Sequence, residues 1–142
     1  MTTFTDGELT YLSSQRLGRL ATVAIDGAPQ NNPVGFRYNP QLGTIDIYGL
    51  NLGATRKYRN VRGHPAVALV VDDIASVDPW QVRGVEIRGQ AEAREEAAPA
   101  AMGMSREVIR IHPHRIISWG IEPTDPGAHA RDVARERGVR VA

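Results

Sequence analysis

Apolar and polar residues alternate along LGRLATVAI (17–25), the two-residue period of a strand with one covered face. The run ends at Asp26-Gly27, a dipeptide that fits a tight hairpin, so PQNNPVGFRYN (29–39) is predicted as the returning strand. Pro33 offers no N–H to a ladder and confines that strand to an edge or a bulge. After a turn at Pro40 to Gly43, TIDIYGL (44–50) reads as a third strand. AVALVVDD (66–73) is apolar for the length of a strand and is expected to be buried on both faces, with Asp72 and Asp73 as turn formers. QVRGVEIRGQAEAR (81–94) alternates over a long span, and Gly84 and Gly89 are expected to bend it as a barrel corner requires. REVIRIHP (106–113) and HRIISWGIE (114–122) are the last strand-like pieces, divided at Pro113.

Helical signals are few. Thr5-Asp6-Gly7-Glu8 has the form of a capping box, with Leu9 and Leu12 facing a core. GATRKYRNVRGHP (53–65) reads as a short helix stopping near Gly63 and Pro65, with Ala54, Tyr58 and Val61 as its apolar face. EEAAPAAMGMS (95–105) is a polar, Ala-rich excursion, either a helical turn or a loop, and 123–142 has the dispersed charge of a flexible tail. No internal repeat is visible. Six or so short strands with hairpins and a few short helices predict one mainly β domain, 1–142, closed as an antiparallel barrel.

Composition narrows the function. The 142 residues carry a net charge of only +1, which gives no global field for nucleic acid or an anionic membrane. With no cysteine, disulfides, thiolate nucleophiles and zinc–thiolate sites are excluded. The start has neither the basic region nor the apolar run of a signal peptide, and no stretch has the length of a membrane span, so a cytoplasmic protein is expected. His112 and His114 have possible metal-ligand spacing, but the intervening Pro113 and the lack of a nearby carboxylate argue against a metal site. Ser118 lacks a nucleophile elbow, and neither a phosphate loop nor a dinucleotide fingerprint occurs. No catalytic residue is identified.

The basic helix raises the sharpest question. Its first turn carries Arg56 and Lys57, where the backbone is already positive and each cation is unfavourable by roughly 0.3–1 kcal/mol. A solvated face is the ordinary reading of such charge; an anion held by free N–H groups and cations is the functional one.

In order, LGRLATV, DGAPQNNPVGF, GATRKYRNVRGHPAVALVVDD, PWQVRGVEIRGQAE and IRIHPHRIISWGIE resemble the pyridoxamine 5'-phosphate oxidase-like split β-barrel family, and within it the actinobacterial group that uses deazaflavin coenzyme F420. The resemblance spans roughly residues 5 to 122. It implies a homodimer with a cofactor site at each side of the subunit interface, and a small electron-poor substrate reduced by hydride transfer. It implies that Thr55, Arg56 and Lys57 grip the cofactor's phosphate-bearing tail. Asn32, Pro33, Val34 and Gly35 would lie along the ring with Tyr48 and Gly49, and Trp80 and the partner subunit's Trp119 would form ring-side walls. FMN in place of F420, and a binding protein without turnover, are the alternatives.

Overall fold

The computed structural model describes residues 3–133. Helix α1 (Asp6–Ser14) begins at the predicted capping box: Glu8 N–H donates to Thr5 Oγ1 at 3.1 Å and Thr5 N–H to Glu8 Oε1 at 2.9 Å. Strands β1 (Leu17–Val23) and β2 (Pro29–Gly35) follow, joined by the Asp26-Gly27 hairpin with Gly27 at φ +86. Then come β3 (Arg37–Asn39), β4 (Thr44–Ile47), a 3₁₀ turn (Leu52–Ala54), α2 (Arg56–Gly63), β5 (Ala66–Ser76), β6 (Gln81–Glu95), β7 (Glu107–Trp119) and β8 (His129–Asp132).

The sheet runs β2-β1-β5-β6-β7-β4-β3, all antiparallel, with β8 also on β7. Strands β2 and β3 stand at opposite ends of this order, yet only Phe36 separates them in the chain. One residue cannot cross a sheet several strands wide at about 4.8 Å per strand, so the sheet must roll until its two edges meet. The result is a barrel with an open seam at β2/β3, filled by Leu20, Ile45, Ile47, Leu69, Val71, Val85, Ile87, Ile109, Ile111 and Ile116.

Several expectations change in detail. The segment 29–39 is two strands because the chain turns the barrel corner at Phe36, although Pro33 does sit on an edge strand. Segments 106–113 and 114–122 are one strand: the register shifts between Arg88, opposite Arg115, and Gly89, opposite Pro113, and this bulge accommodates Pro113 inside β7. Gly89 is needed there, because a Cβ would overlap His112 O, whereas Gly84 marks no bend and instead seats Trp119. Strand β5 is not buried on both faces. Val67, Leu69 and Val71 point inward while Ala66, Asp72 and Ile74 are exposed, since the barrel covers only one face. Asp72 and Asp73 lie inside that strand and pair with Arg19 and Arg83, so they are not turn residues. Residues 95–105 contain no regular helix. Part of the predicted tail is ordered: β8 pairs with β7, and Arg131 donates to buried Glu8 at 2.7 and 2.9 Å. Residues 134–142 of that expectation lie outside the described residues. No helix among the described residues is long and apolar enough to cross a membrane.

Candidate active site

Helix α2 is fixed from beneath. Tyr58 and Val61 are buried, and Tyr58 Oη donates to Arg94 O at 3.0 Å. Asn60 Nδ2 reaches Thr22 Oγ1 at 3.0 Å and Gln30 Oε1 at 2.7 Å, tying the helix to β1 and β2. Ala54, expected on the apolar face, is instead exposed in the preceding 3₁₀ turn. Thr55 is the N-cap: its hydroxyl accepts from Tyr58 N–H at 3.4 Å and donates to Leu52 O at 2.6 Å. Its hydrogen is therefore committed, and its contribution is to set the helix end and leave the Arg56 and Lys57 N–H groups pointing outward.

With the underside anchored, the cations stay outside. Among the described residues, Arg56, Lys57 and Arg59 form no ion pair, and Arg62 lies over the Tyr58 ring at 4.9 Å. Elsewhere every described arginine except Arg16 and Arg37 faces a carboxylate. A cleft of about 390 Å³ opens between α2 and the β1–β2 hairpin, lined by Arg56, Arg59, Asn60, His64, Gln30, Ile25 and one acid, Asp26, among others. Lys57, one residue and about 100° further round the helix, does not line it.

A second recess, of about 470 Å³, lies at the barrel seam and is lined by Arg16, Gly35, Phe36, Arg37, Tyr48 and Met104, among others. Burial pushes the Tyr48 phenol up from its ordinary value, and the neighbouring Asp46 charge adds to this. Arg37 sits 5.8 Å from the Tyr48 ring centre. Gly49 lies beside this region, with its carbonyl accepting from Ser105 N–H at 2.9 Å.

The expected site residues thus divide. Arg56 faces the helix cleft, while Gly35 and Tyr48 face the seam recess. Asn32 and Pro33 are exposed on β2 and line neither, and Val34 is a core residue at 5% exposure. Trp80 is 64% exposed by the β5–β6 hairpin turn, and Trp119 lies against Gly84 of its own chain on the outer face of the sheet. Sequence reasoning missed Arg16, Arg37, Gln30 and Asn60. The two arginines lack a charge partner, a signal that appears only after the ion pairs are known.

The model of the pyridoxamine 5'-phosphate oxidase family matches residues 4–138. The chain belongs to that family. It is 48% identical over 143 residues, 96% of its own length and 98% of the relative's, to a 5a,11a-dehydrotetracycline/5a,11a-dehydrooxytetracycline reductase of Streptomyces rimosus. A solved F420 reductase has TM-score 0.61 at 25% identity, over 80% of this chain and 98% of that one. A heme-binding protein of Mycobacterium smegmatis has TM-score 0.67 at 16% identity, over 89% of this chain and 57% of that one, a likeness of fold alone. The protein is an enzyme of the oxidoreductase class on a split barrel.

Proposed function

We propose that this family member is a cytoplasmic reductase that passes a hydride from reduced coenzyme F420 to a small electron-poor organic molecule, and that it works as a homodimer. The observation that carries the reading is the set of α2 cations that form no ion pair among the described residues, at a helix end that is already positive. F420 carries a phosphodiester followed by an oligoglutamate tail. The free N–H groups and side chains of Arg56 and Lys57 would hold the phosphate, with Thr55 fixing their direction. Arg59 and Arg62 continue the positive surface along which tail carboxylates would run. Asn32, Pro33 and Gly35, with the Val34 backbone, would border the ring on an edge strand whose outer side has no ladder partner among the described residues. Tyr48 and Gly49 would border it from beyond β4.

The bound coenzyme supplies the hydride; the chain's task is to hold ring and acceptor in contact and keep water out. The 48%-identical relative reduces dehydrotetracyclines, which supports an acceptor with an activated C=C bond in a fused, oxygen-rich ring system. The outer sheet face supports the dimer: Ile74 and Val82 pair across β5 and β6, Ile117 and Trp119 continue the surface on β7, and Ile74 and Val82 are 52% and 42% exposed. Covering that face with a second copy would place Trp119 at the interface.

Titration of F420 and FMN into the purified protein, at low and high salt, tests the reading. F420 should bind more tightly than FMN, and longer tails more tightly than short ones. The tail-dependent part should fade with salt, because exposed contacts are screened over about 8–10 Å. Tighter FMN binding at both salt concentrations would replace F420 by the flavin; absence of binding by either would remove the cofactor reading.

A further inference from the structure

We propose that the seam recess binds a flat substrate through an ionised oxygen, an enolate or phenolate, held by Arg16 and Arg37. The inference rests on the reductase reading and adds the substrate's chemistry to it. Arg16 precedes β1, and Arg37 opens β3 immediately after the barrel corner, so elements far apart in the chain bring two guanidinium groups to one recess. These are the only described arginines outside α2 that face no carboxylate. The nearby acids do not compensate them, because Asp46 and Glu96 are both engaged by Arg110. Two like charges sharing a recess repel each other, and an anion between them removes that repulsion.

The other lining groups narrow the ligand. The Tyr48 hydroxyl has no hydrogen-bond partner among the described residues and is a donor for the same oxygen or its neighbour. Phe36 and Met104 supply apolar surface, and Gly35 adds none of its own bulk. A tetrahedral phosphate makes no use of apolar walls. A planar ring bearing an ionised oxygen beside a carbonyl does, and its two oxygens match the fork of a guanidinium group. The recess therefore suits an enolised β-dicarbonyl or hydroxyquinone, and it selects against the same skeleton with that oxygen capped.

The test uses the full chain and a matched pair of probes. 2-Hydroxy-1,4-naphthoquinone is an ionised vinylogous acid at neutral pH; its 2-methoxy counterpart has the same ring system and no charge. Calorimetric titration should show the hydroxy compound binding at least about tenfold more tightly. The preference should shrink in Arg16→Met and in Arg37→Met, vanish in the double variant, and return in part with lysine at both positions. Thermal unfolding of each variant serves as the folding control, since both arginines are exposed. Equal binding of the two compounds by the unaltered protein, or a preference intact in the double variant, would overturn the proposal. So would a parallel loss of F420 affinity, because the recess would then belong to the cofactor. A protein that ignores F420 yet keeps the preference would remove the cofactor reading and leave the recess as proposed.

Discussion

Replacing Asp46 by alanine probes the pair that holds β4, and with it the approach to Tyr48, onto β7. Asp46 is 2% exposed and accepts four bonds: Arg110 Nε and Nη2 at 3.1 Å each, Asn39 Nδ2 at 3.0 Å and Thr44 Oγ1 at 2.8 Å. Without it, the Arg110 guanidinium, its side chain only 10% exposed, keeps Glu96 at 2.8 Å. Removing one partner of a buried pair costs about 3–5 kcal/mol, chiefly because the other charge is stranded. Glu96 compensates in part, which places Asp46→Ala near the lower end, at about 3 kcal/mol. For a chain of this length that corresponds to a fall in Tm of roughly 10 °C.

Urea unfolding followed by circular dichroism, at one fixed protein concentration, measures the loss directly. The m-value should stay constant, because a change in m would mean a different unfolded or native state. A double-mutant cycle with Arg110→Met then separates stranded charge from lost packing. The double variant removes both charges and should be more stable than Asp46→Ala alone. A cost below about 1 kcal/mol for Asp46→Ala, or a double variant as unstable as the sum of the two singles, would refute the reasoning.

The other predictions concern the helix, acid and the outer face. Lys57→Ala, and Arg56→Ala to a lesser degree, should weaken F420 binding by about ten- to a hundredfold in a fluorescence titration, with stability altered by less than about 0.5 kcal/mol; unchanged affinity in the Lys57 variant would return α2 to a solvated face. Burial alone would raise the Glu8 carboxyl, but Arg131, the Thr5 N–H and Ser118 outweigh it and hold it below its ordinary value. Because the unfolded chain then binds the proton more readily, this stabilisation is present above the ordinary carboxylate range and is lost as pH falls through the folded value. Unfolding free energies from neutral pH to about pH 3 should show that loss, and Arg131→Met should flatten it. Gly84→Ala should displace the Trp119 ring, since a Cβ would overlap it and lie 2.9 Å from Val71 O. Sedimentation and tryptophan emission should show a weaker dimer with a more solvated Trp119, and an unchanged dimer would remove the outer face from the interface.

Local chemistry made much of the fold legible. The capping box at Thr5 and Glu8, the Asp26-Gly27 hairpin, and the Gly63–Pro65 helix stop are each set by a few adjacent residues, and the structure has them in place. What the sequence concealed depends on distant pairing. Pro113 looks like a strand break until the register shift at Gly89 accommodates it on the neighbouring strand. The apolar run at 66–73 looks doubly buried because Ala68 and Val70, on the outer side, are as apolar as the core residues between them. Strand β8 has little periodicity of its own; its order comes from pairing with β7 and from Arg131 reaching Glu8 across the sequence. The same limit applies to the site. The α2 cations stand together in the sequence and were visible there, while Arg16, Arg37 and Tyr48 meet only because the sheet closes on itself.

That closure also bears on what kind of chemistry the barrel can host. Its well-buried acids are already employed: Glu8 holds Arg131, and Asp46 holds Arg110. Asp73, half-way to solvent, accepts from Arg83 at 2.8 and 3.0 Å and from Tyr11 at 2.9 Å, and these bonds keep it ionised below its usual range. A carboxylate so engaged is a poor general base, because taking a proton would cost it the arginine contact that holds it. Among the described residues, the cations that form no ion pair are gathered at α2 and the seam, both at the margins of the barrel core. On the proposed reading, a protein built this way would bind anionic groups and align them, and leave bond-making to what it binds. Hydride transfer between two held rings makes that demand and little more. Relocating the cations should therefore change affinity and substrate choice, whereas altering the buried acids should change stability first.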